Sequence, residues 1–381
     1  MRRIPLLLGA LVTIPVAAAS ACGSEDASSR LIDTDAAAPD ATSVGDAAAL
    51  PVSANAWVLV HAAAFAPFRL CFSNRAREQP LPSVELMPDS NVVGVDVGSA
   101  VRLEPLGGPL GKVFVLPEPS IRAAYPTGGG PGPTCEQLLS SSLGAEAVEV
   151  AELTQELSSG VHLLVLAGCR PAAGDPAGSV ARCGPSWTPE AGNLRLDVVP
   201  LTPFPRVASA LPVQAVQLSP ALASRAGGRA IALGFGELDA GAPDPLVEGD
   251  LPLGVPAPEQ PVLVPFDDGD AGAYASHGVF VMLGPGTGDT GDGGSPDAST
   301  DGGAREVLLA RSLAEIQRLS APADTPFAWY ATAASYALLL LGDPDAPTVD
   351  GGAPDPRRAL HLLAVPVAEP DADDAGSDEA R

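Results

Sequence analysis

The chain has 381 residues, enough for two domains of ordinary size, and it carries a formal net charge of −25. Nucleic-acid binding requires a basic surface that displaces counterions from phosphates, and 46 acidic against 21 basic residues exclude that class of protein. A hydrophobic fraction of 46% together with 41 Gly and 41 Pro indicates packed domains interrupted by low-complexity inserts.

The first 22 residues have the pattern of an export signal. Arg2 and Arg3 precede an apolar stretch at residues 4–18, and small residues lead to Cys22. The stretch is shorter than the roughly 20 apolar residues that span a bilayer. We therefore expect an exported protein that is cleaved before Cys22.

The residues around the cleavage site resemble a bacterial lipobox, whose cysteine is lipidated and becomes the new N-terminus. Ala19 stands where that motif usually has Leu, and the same triplet is also an ordinary Ala-x-Ala site, so simple secretion stays open. Lipidation of Cys22 is favoured because four cysteines then remain, an even number suited to an oxidising compartment. Residues 23–55 have the composition of a flexible disordered tether. Because Gly23 rather than Asp follows the cysteine, the resemblance implies an anchor in the outer membrane.

The body of the chain is expected to be mainly β, with residues 56–188 and 189–368 forming two antiparallel β-sandwich domains. Each block contains short apolar or alternating runs bounded by turn residues. In the first block the predicted strands are 57–61, 68–72, 92–97, 112–116 and 161–167. In the second they are 194–199, 213–218, 230–235, 261–264, 279–283, 336–341 and 360–367.

Two helices are expected among these strands. Thr134 can cap a short helix that begins at Cys135. Residues 305–319 place Leu309, Leu313 and further apolar residues at helical spacing, but their first part has the pattern of a strand equally well. Both interpretations of residues 305–319 stay open at this point.

Tracts rich in Asp, Gly and Pro interrupt the second block near residues 237–250, 285–303 and 343–356, and residues 369–381 form an acidic tail. Each tract lies between predicted strands, and the entropy of closing a loop grows only slowly with its length. We therefore expect disordered insertions and a disordered tail that leave the sheets intact.

The two blocks show an internal echo that supports two related domains. Residues 58–62 and 213–220 open the blocks with similar sequences, and residues 160–168 and 335–342 close them. At these positions the chain resembles an uncharacterised family of secreted bacterial β-sandwich domains, which open on V-x-V-H-A-S-P-D-A-P and close on a Y/H-x-L-x-V-x-G strand. The resemblance implies a fold and no settled activity.

The first copy keeps more of that motif than the second. Ser-Pro-Asp is replaced by Ala63, Ala64 and Phe65 in the first copy, and Gln217 stands at the histidine position of the second. The residues that the first copy keeps are Val58, Val60, His61, Ala62, Ala66 and Pro67.

Four cysteines are expected to form two structural disulfides. They allow three connectivities, and we favour Cys71 with Cys135 and Cys169 with Cys183, because the second loop is local. No C-x-x-C occurs and the four histidines are scattered, so neither a metal site nor a cofactor is expected.

Acidic loops supply calcium candidates without a calcium-binding motif. Asp267, Asp268 and Asp270 lie close together, but no EF-hand pattern surrounds them. A G-x-G-x-x-G pattern at residues 286–291 continues into Asp292-Gly293-Gly294, where no helix can begin, so no nucleotide partner is expected.

No catalytic motif of the G-x-S-x-G, H-E-x-x-H or S-x-x-K type is present. We therefore expect a non-enzymatic lipoprotein of the cell envelope, a surface spacer or interaction module whose contacts are the membrane, through its anchor, and a surface glycan or protein. One alternative is a glycan-, protein- or calcium-binding module, for which glycan or protein binding would need exposed aromatic side chains at Trp57, Trp187, Trp329 or Tyr330. Another is an envelope hydrolase, which would need a Ser/His/Asp cluster lining a pocket.

Overall fold

The computed structural model describes residues 53–82, 94–118, 121, 124, 132–173, 178–247, 251–265, 273–285, 305–321, 327–346, 355 and 357–368. These residues belong to one compact unit, Ala48–Arg381. Several predictions lie outside the described residues: the signal peptide, Cys22 and its lipidation, residues 23–52 of the tether, most of the tracts at 285–303 and 343–356, and the tail. The calcium candidates Asp267, Asp268 and Asp270 also lie outside them.

Fifteen strands form in the described part of the chain, so the fold is mainly β, as predicted. The strands fall into two sets, which we call the first repeat and the second repeat. The first repeat contains β1 (Ala56–His61), β2 (Phe68–Phe72), β3 (Ala100–Leu103), β4 (Gly111–Pro117), β5 (Val148–Leu153), β6 (Val161–Ala167) and β7 (Arg195–Leu201). The second contains β8 (Ala210–Gln217), β9 (Ile231–Glu237), β10 (Pro245–Val247), β11 (Pro256–Pro265), β12 (His277–Leu283), β13 (Glu306–Ser312), β14 (Ser335–Leu341) and β15 (His361–Val367).

The helices are short and lie between the strands. They are α1 (Cys135–Ser140), α2 (Val180–Cys183), α3 (Pro220–Ala226), α4 (Ala273–Ser276) and α5 (Leu313–Ser320). Thr134 caps α1 as predicted. The ambiguous segment 305–319 is both strand and helix, because Ser312 ends β13 and forms a capping box with Glu315 that begins α5.

The two repeats have the same strand order. Inner sheet 1 is ordered β3-β1-β6-β7 and inner sheet 2 is ordered β11-β8-β14-β15, while outer sheet 1 is β2-β4-β5 and outer sheet 2 is β10-β9-β12-β13. Most strand pairs are antiparallel, as predicted, and the central pairs β1/β6 and β8/β14 are parallel. Strand β7 lies beyond the predicted boundary at residue 189 but pairs with β6, so it completes inner sheet 1.

The inner sheets pack against each other and each also carries an outer sheet. Trp57 and Leu59 of β1 pack with outer sheet 1, whereas Val58 and Val60 share a core with inner sheet 2. In β14, Leu339 joins that same central core while its neighbours in sequence pack with outer sheet 2. Since both faces of the inner strands are buried, their sequences are almost continuously apolar.

Three strands that the sequence analysis did not predict, β3, β5 and β10, lie at sheet edges. Edge strands are half exposed or short, so their apolar pattern is weak. β10 forms inside the tract 237–250, where a disordered insertion is expected, and pairs with β9. Conversely, the predicted strand 92–97 contributes a single bridge in its described part, from Val95 to Phe68.

Both favoured disulfides form, which confirms the predicted pairing. Cys71–Cys135 connects β2 to α1, and Cys169–Cys183 connects the segment after β6 to α2. All four cysteines are buried. Among the described helices, none is long and apolar enough to cross a membrane.

Candidate functional site

A cavity of about 580 Å³, here called the junction cavity, lies where the two repeats meet. The first repeat lines it with the end of β1, the loop that follows and residues from four other segments: His61, Ala62, Ala63, Ala64, Phe65, Ala66, Val97, Gly98, Pro117, Arg170 and Arg182. The second repeat lines it with the start of α3 and the segments that flank β15 and β14: Ser219, Pro220, Ala221, Gly342, Asp343, Ala346, Arg357 and Arg358.

The strand order explains why these segments converge. Because β1 and β6 are parallel, the loops that follow them begin at the same end of inner sheet 1. The loops that follow the parallel strands β8 and β14 likewise begin at the same end of inner sheet 2. Gly342 follows β14 with φ of +85°, and a Cβ there would lie 2.1 Å from the carbonyl oxygen of Ala359. Only glycine allows this close turn, so the loop residues come directly to the cavity wall.

Contacts between the repeats hold one wall of the junction cavity. The Nε2 atom of buried His361 lies 2.8 Å from the carbonyl oxygen of Gly98, and Arg357 forms a 3.0 Å ion pair with Asp96. Burial lowers the pKa of His361, and the carbonyls of Ala359 and Gly98 oppose that shift. This wall of the cavity is therefore held by specific contacts between the two repeats.

The lining of the junction cavity is rich in arginine although the whole chain is strongly acidic. Among its described lining residues are four arginines and one aspartate: Arg170, Arg182, Arg357, Arg358 and Asp343. Two of the arginines already have carboxylate partners, since Arg357 pairs with Asp96 and Arg358 lies 3.6 Å from Asp355. The other two arginines of the wall are Arg170 and Arg182.

Arg170 and Arg182 flank the two halves of one disulfide. Arg170 follows Cys169 and Arg182 precedes Cys183, and the Cα atoms of these cysteines are 5.3 Å apart. The indole Nε1 of Trp187 donates a 3.0 Å hydrogen bond to the Arg170 carbonyl. The guanidinium carbon of Arg170 lies 5.8 Å from the centroid of the Phe65 ring, a cation–π distance.

The junction cavity brings together His61, Ser219 and Asp343, the residue types of a hydrolytic triad, without the hydrogen bonds of one. The Ser219 hydroxyl donates to the Gly342 carbonyl and accepts from the N–H of Leu222. The His61 Nδ1 atom contacts the Val95 carbonyl, and its Nε2 has no partner in the described residues. A triad needs a serine-to-histidine and a histidine-to-carboxylate hydrogen bond, and neither forms here.

His61 is a fully buried neutral side chain. Burial lowers its pKa from 6.5 to about 4. The carbonyl of Val95 only accepts, so Nδ1 carries the proton and Nε2 is left with an unsatisfied lone pair. Gln217 takes the equivalent place in the second repeat, and there both ends of the amide bond to the backbone of Ser219.

The aromatic residues on which glycan or protein recognition would depend lie in the core. Their exposed fractions are 8% or less: Trp57, Trp187, Trp329 and Tyr330. They therefore form no exposed aromatic patch. Metal coordination has no basis in the described residues either, where no group of three or more His, Cys, Asp or Glu could hold an ion.

No family model matches this chain, and no curated protein sequence matches it. The sequence analysis places His61 correctly at the end of a strand but does not identify the arginines. They come from widely spaced segments and share no motif. The one local signal is that two of them adjoin Cys169 and Cys183.

Proposed function

We propose that the protein is a non-enzymatic interaction module of the cell envelope and that the junction cavity is its binding site. The observation that carries this proposal is a cavity of about 580 Å³ whose wall is shared by both repeats. Sites for small ligands commonly have volumes of about 300 to 1,000 Å³ and form between packed units. A rigid spacer alone would not require a cavity of this kind.

Export and anchoring through Cys22 form part of the proposal. The sequence pattern before Cys22 supports them, and the two disulfides in the described part of the chain suit an oxidising compartment. Exchange of Cys22→Ser in the full precursor should move the mature protein from the outer-membrane fraction to the soluble fraction. An unchanged distribution would contradict the lipid anchor and leave the binding site untouched.

Binding is favoured over hydrolysis because of the hydrogen bonds around the polar wall residues. Ser219 caps α3 and has its donor and acceptor occupied by backbone groups. Asp343 accepts from the backbone N–H of Asp345 at 2.8 Å. Both residues hold the wall in shape and are not arranged for proton transfer.

The test is a thermal melt of the full oxidised protein against a panel of small neutral, cationic and anionic compounds. A compound that binds the folded state raises the melting temperature saturably. Ala221→Trp should abolish that rise, because residue 221 is half-buried on the cavity wall. Ala223→Trp is the matched control, since residue 223 is exposed on the same helix.

A saturable rise that Ala221→Trp removes and Ala223→Trp preserves supports the proposal. A rise that survives both substitutions would place binding elsewhere and contradict the cavity as the site. A flat panel over a cooperative melt would contradict the small-ligand function.

A further inference from the structure

We propose that the junction cavity binds a small zwitterion, an amino acid or a dipeptide, whose carboxylate meets Arg170 and whose ammonium group meets Asp343. The inference rests on the proposed function and specifies the ligand of the same site. Its first argument is that each repeat brings one side chain of opposite charge to the cavity wall, Arg170 from the first repeat and Asp343 from the second.

The charges on the cavity wall favour a ligand that carries both signs. Arg357 and Arg358 are balanced by carboxylates of the protein itself. Arg170 and Asp343 are half-buried, and in the described part of the chain neither forms an ion pair. A ligand with one negative and one positive group complements both side chains, whereas a simple anion or cation complements only one of them.

Arg170 is held in place by its backbone and by an aromatic neighbour. Its carbonyl accepts a 3.0 Å hydrogen bond from the Trp187 indole, and the residue before it, Cys169, is bonded to Cys183. Its guanidinium carbon lies 5.8 Å from the centroid of the half-buried Phe65 ring. A guanidinium presents N–H donors in a planar fork that matches a carboxylate. Arg170 therefore offers a positioned receptor for the negative end of the ligand.

Asp343 is held in place by three backbone hydrogen bonds. Its N–H donates to the carbonyl of Arg358 at 2.9 Å, and its own carbonyl accepts from the N–H groups of Leu360 at 3.0 Å and Ala346 at 3.2 Å. In its side chain, Oδ1 accepts from the N–H of Asp345 at 2.8 Å, which leaves Oδ2 to accept from a ligand. An ammonium group has three donors and no acceptor, and a preorganised carboxylate binds it without a further ordering cost.

The remaining lining determines which zwitterions are suitable probes. Most of it is small and apolar, and half-buried Ala62, Ala64 and Ala66 lie on the wall together with Phe65. An apolar side chain on the ligand would cover these residues and gain hydrophobic free energy. The volume of about 580 Å³ leaves room for an amino acid or a dipeptide. L-phenylalanine and L-alanyl-L-phenylalanine meet these conditions and differ in the separation of their two charges.

The experiment is calorimetric titration of the full oxidised protein with these two probes and their blocked forms. The N-acetyl form of each probe lacks the ammonium group, and the C-terminal amide lacks the carboxylate. At least one free zwitterion should bind about tenfold or more tightly than both of its blocked forms, because each charge-assisted hydrogen bond forms only with a free terminus. The probe that does so identifies the spacing of the two charges in the site.

Two substitutions test the two ends of the ligand separately. Asp343→Asn keeps the shape of the side chain, and it should abolish the preference over the N-acetyl form while the preference over the amide remains. Arg170→Gln should have the reverse effect. Asp239→Asn and Arg318→Gln, at exposed residues, are the matched controls and should leave both preferences unchanged. The affinity ratios are the readout, because a loss of stability weakens the binding of all forms alike.

The outcomes separate the inference from the proposed function. If neither free zwitterion is preferred over both of its blocked forms, the inference is wrong, while binding of any compound that Ala221→Trp removes still supports the cavity as a binding site. A preference over the N-acetyl form that survives Asp343→Asn, or a preference over the amide that survives Arg170→Gln, also overturns the inference. No binding of any probe, together with a flat panel in the melts above, overturns both.

Discussion

His61 and Gln217 show at the scale of single residues how the two repeats differ at one equivalent position. Both side chains are fully buried at the last position of the first strand of a repeat. Gln217 satisfies its donor and its acceptor locally, whereas His61 satisfies only Nδ1. A buried polar atom without a hydrogen-bond partner lowers the free energy of unfolding. His61 therefore carries a desolvation cost in the first repeat that Gln217 avoids in the second.

We predict that His61 makes the protein sensitive to acid. Its folded pKa of about 4 lies below the value of 6.5 for an unperturbed imidazole, so the unfolded chain takes up the proton first. The contribution of neutral His61 to the free energy of unfolding is complete above pH 6.5, and it falls by about 3 kcal/mol as the pH drops to 4. Urea unfolding between pH 4 and pH 7 should show a shallower loss of stability for His61→Gln than for the wild type.

Some acid sensitivity should remain in that variant, because burial lowers the pKa of His361 in the same direction. An identical pH profile for wild type and His61→Gln would mean that His61 does not stay neutral in the fold. Gln217 shows that the position accepts an amide, so the variant itself should fold.

Gly98 is a residue at which the two repeats approach closely at the cavity wall. Its φ is +67°, and a Cβ there would lie 2.0 Å from the carbonyl oxygen of Arg357. Gly98→Ala should therefore destabilise the protein by about 2 kcal/mol or more, through backbone strain and displacement of the second repeat. Gly108→Ala is the matched control, with φ of +77° and no atom near the added methyl group.

The free energies of unfolding of these two variants separate strain from packing. Gly108→Ala carries only the strain, which is about 1 kcal/mol. Equal losses for both variants would show that the contact between Gly98 and Arg357 contributes nothing to stability.

At the scale of secondary structure elements, one side chain decides where β13 ends and α5 begins. The Ser312 hydroxyl accepts from the N–H of Glu315 at 3.1 Å, and the Glu315 carboxylate accepts from the N–H of Ser312 at 3.0 Å. Ser312→Ala should cost about 1 kcal/mol in urea unfolding, and Ser312→Thr, which restores a capping hydroxyl, should recover most of it. If alanine and threonine destabilise the protein equally, crowding around this buried site is responsible and not the cap.

The elements that could be predicted from the sequence are those with buried faces. Strands β1, β6 and β14 are almost continuously apolar because both of their faces are covered. β5 exposes part of its residues, and β3 and β10 are short, so their local pattern does not distinguish them from loops. The cavity arginines could not be predicted, because their proximity depends on how three separate segments of the chain pack.

At the scale of the whole molecule, the internal echo in the sequence corresponds to two sheets of the same strand order. The sequence reveals that both blocks contain similar strands, but it does not reveal that their inner sheets share a core. Apolar runs such as β14 indicate burial on both faces, and only the packing shows that the second face is covered by the other repeat.

That shared core predicts that the two repeats unfold together. Leu339 of β14 is fully buried in the core between the inner sheets, with residues of β1 and β6. Leu339→Ala should lower the free energy of unfolding by about 2 to 5 kcal/mol. The first repeat should lose stability as well, although the substitution lies in the second. Val307→Ala, at a side chain that is 41% exposed, is a control with little expected effect.

Hydrogen exchange in mild denaturant, read by mass spectrometry, measures this directly. Peptides from β6 and β14 should lose protection in one event in the wild type, and faster but still together in the Leu339→Ala protein. If β14 exchanged while β6 stayed protected, the repeats would be separate folding units. The junction cavity would then lie between two bodies that move independently, and its wall would not be held in one arrangement for a ligand.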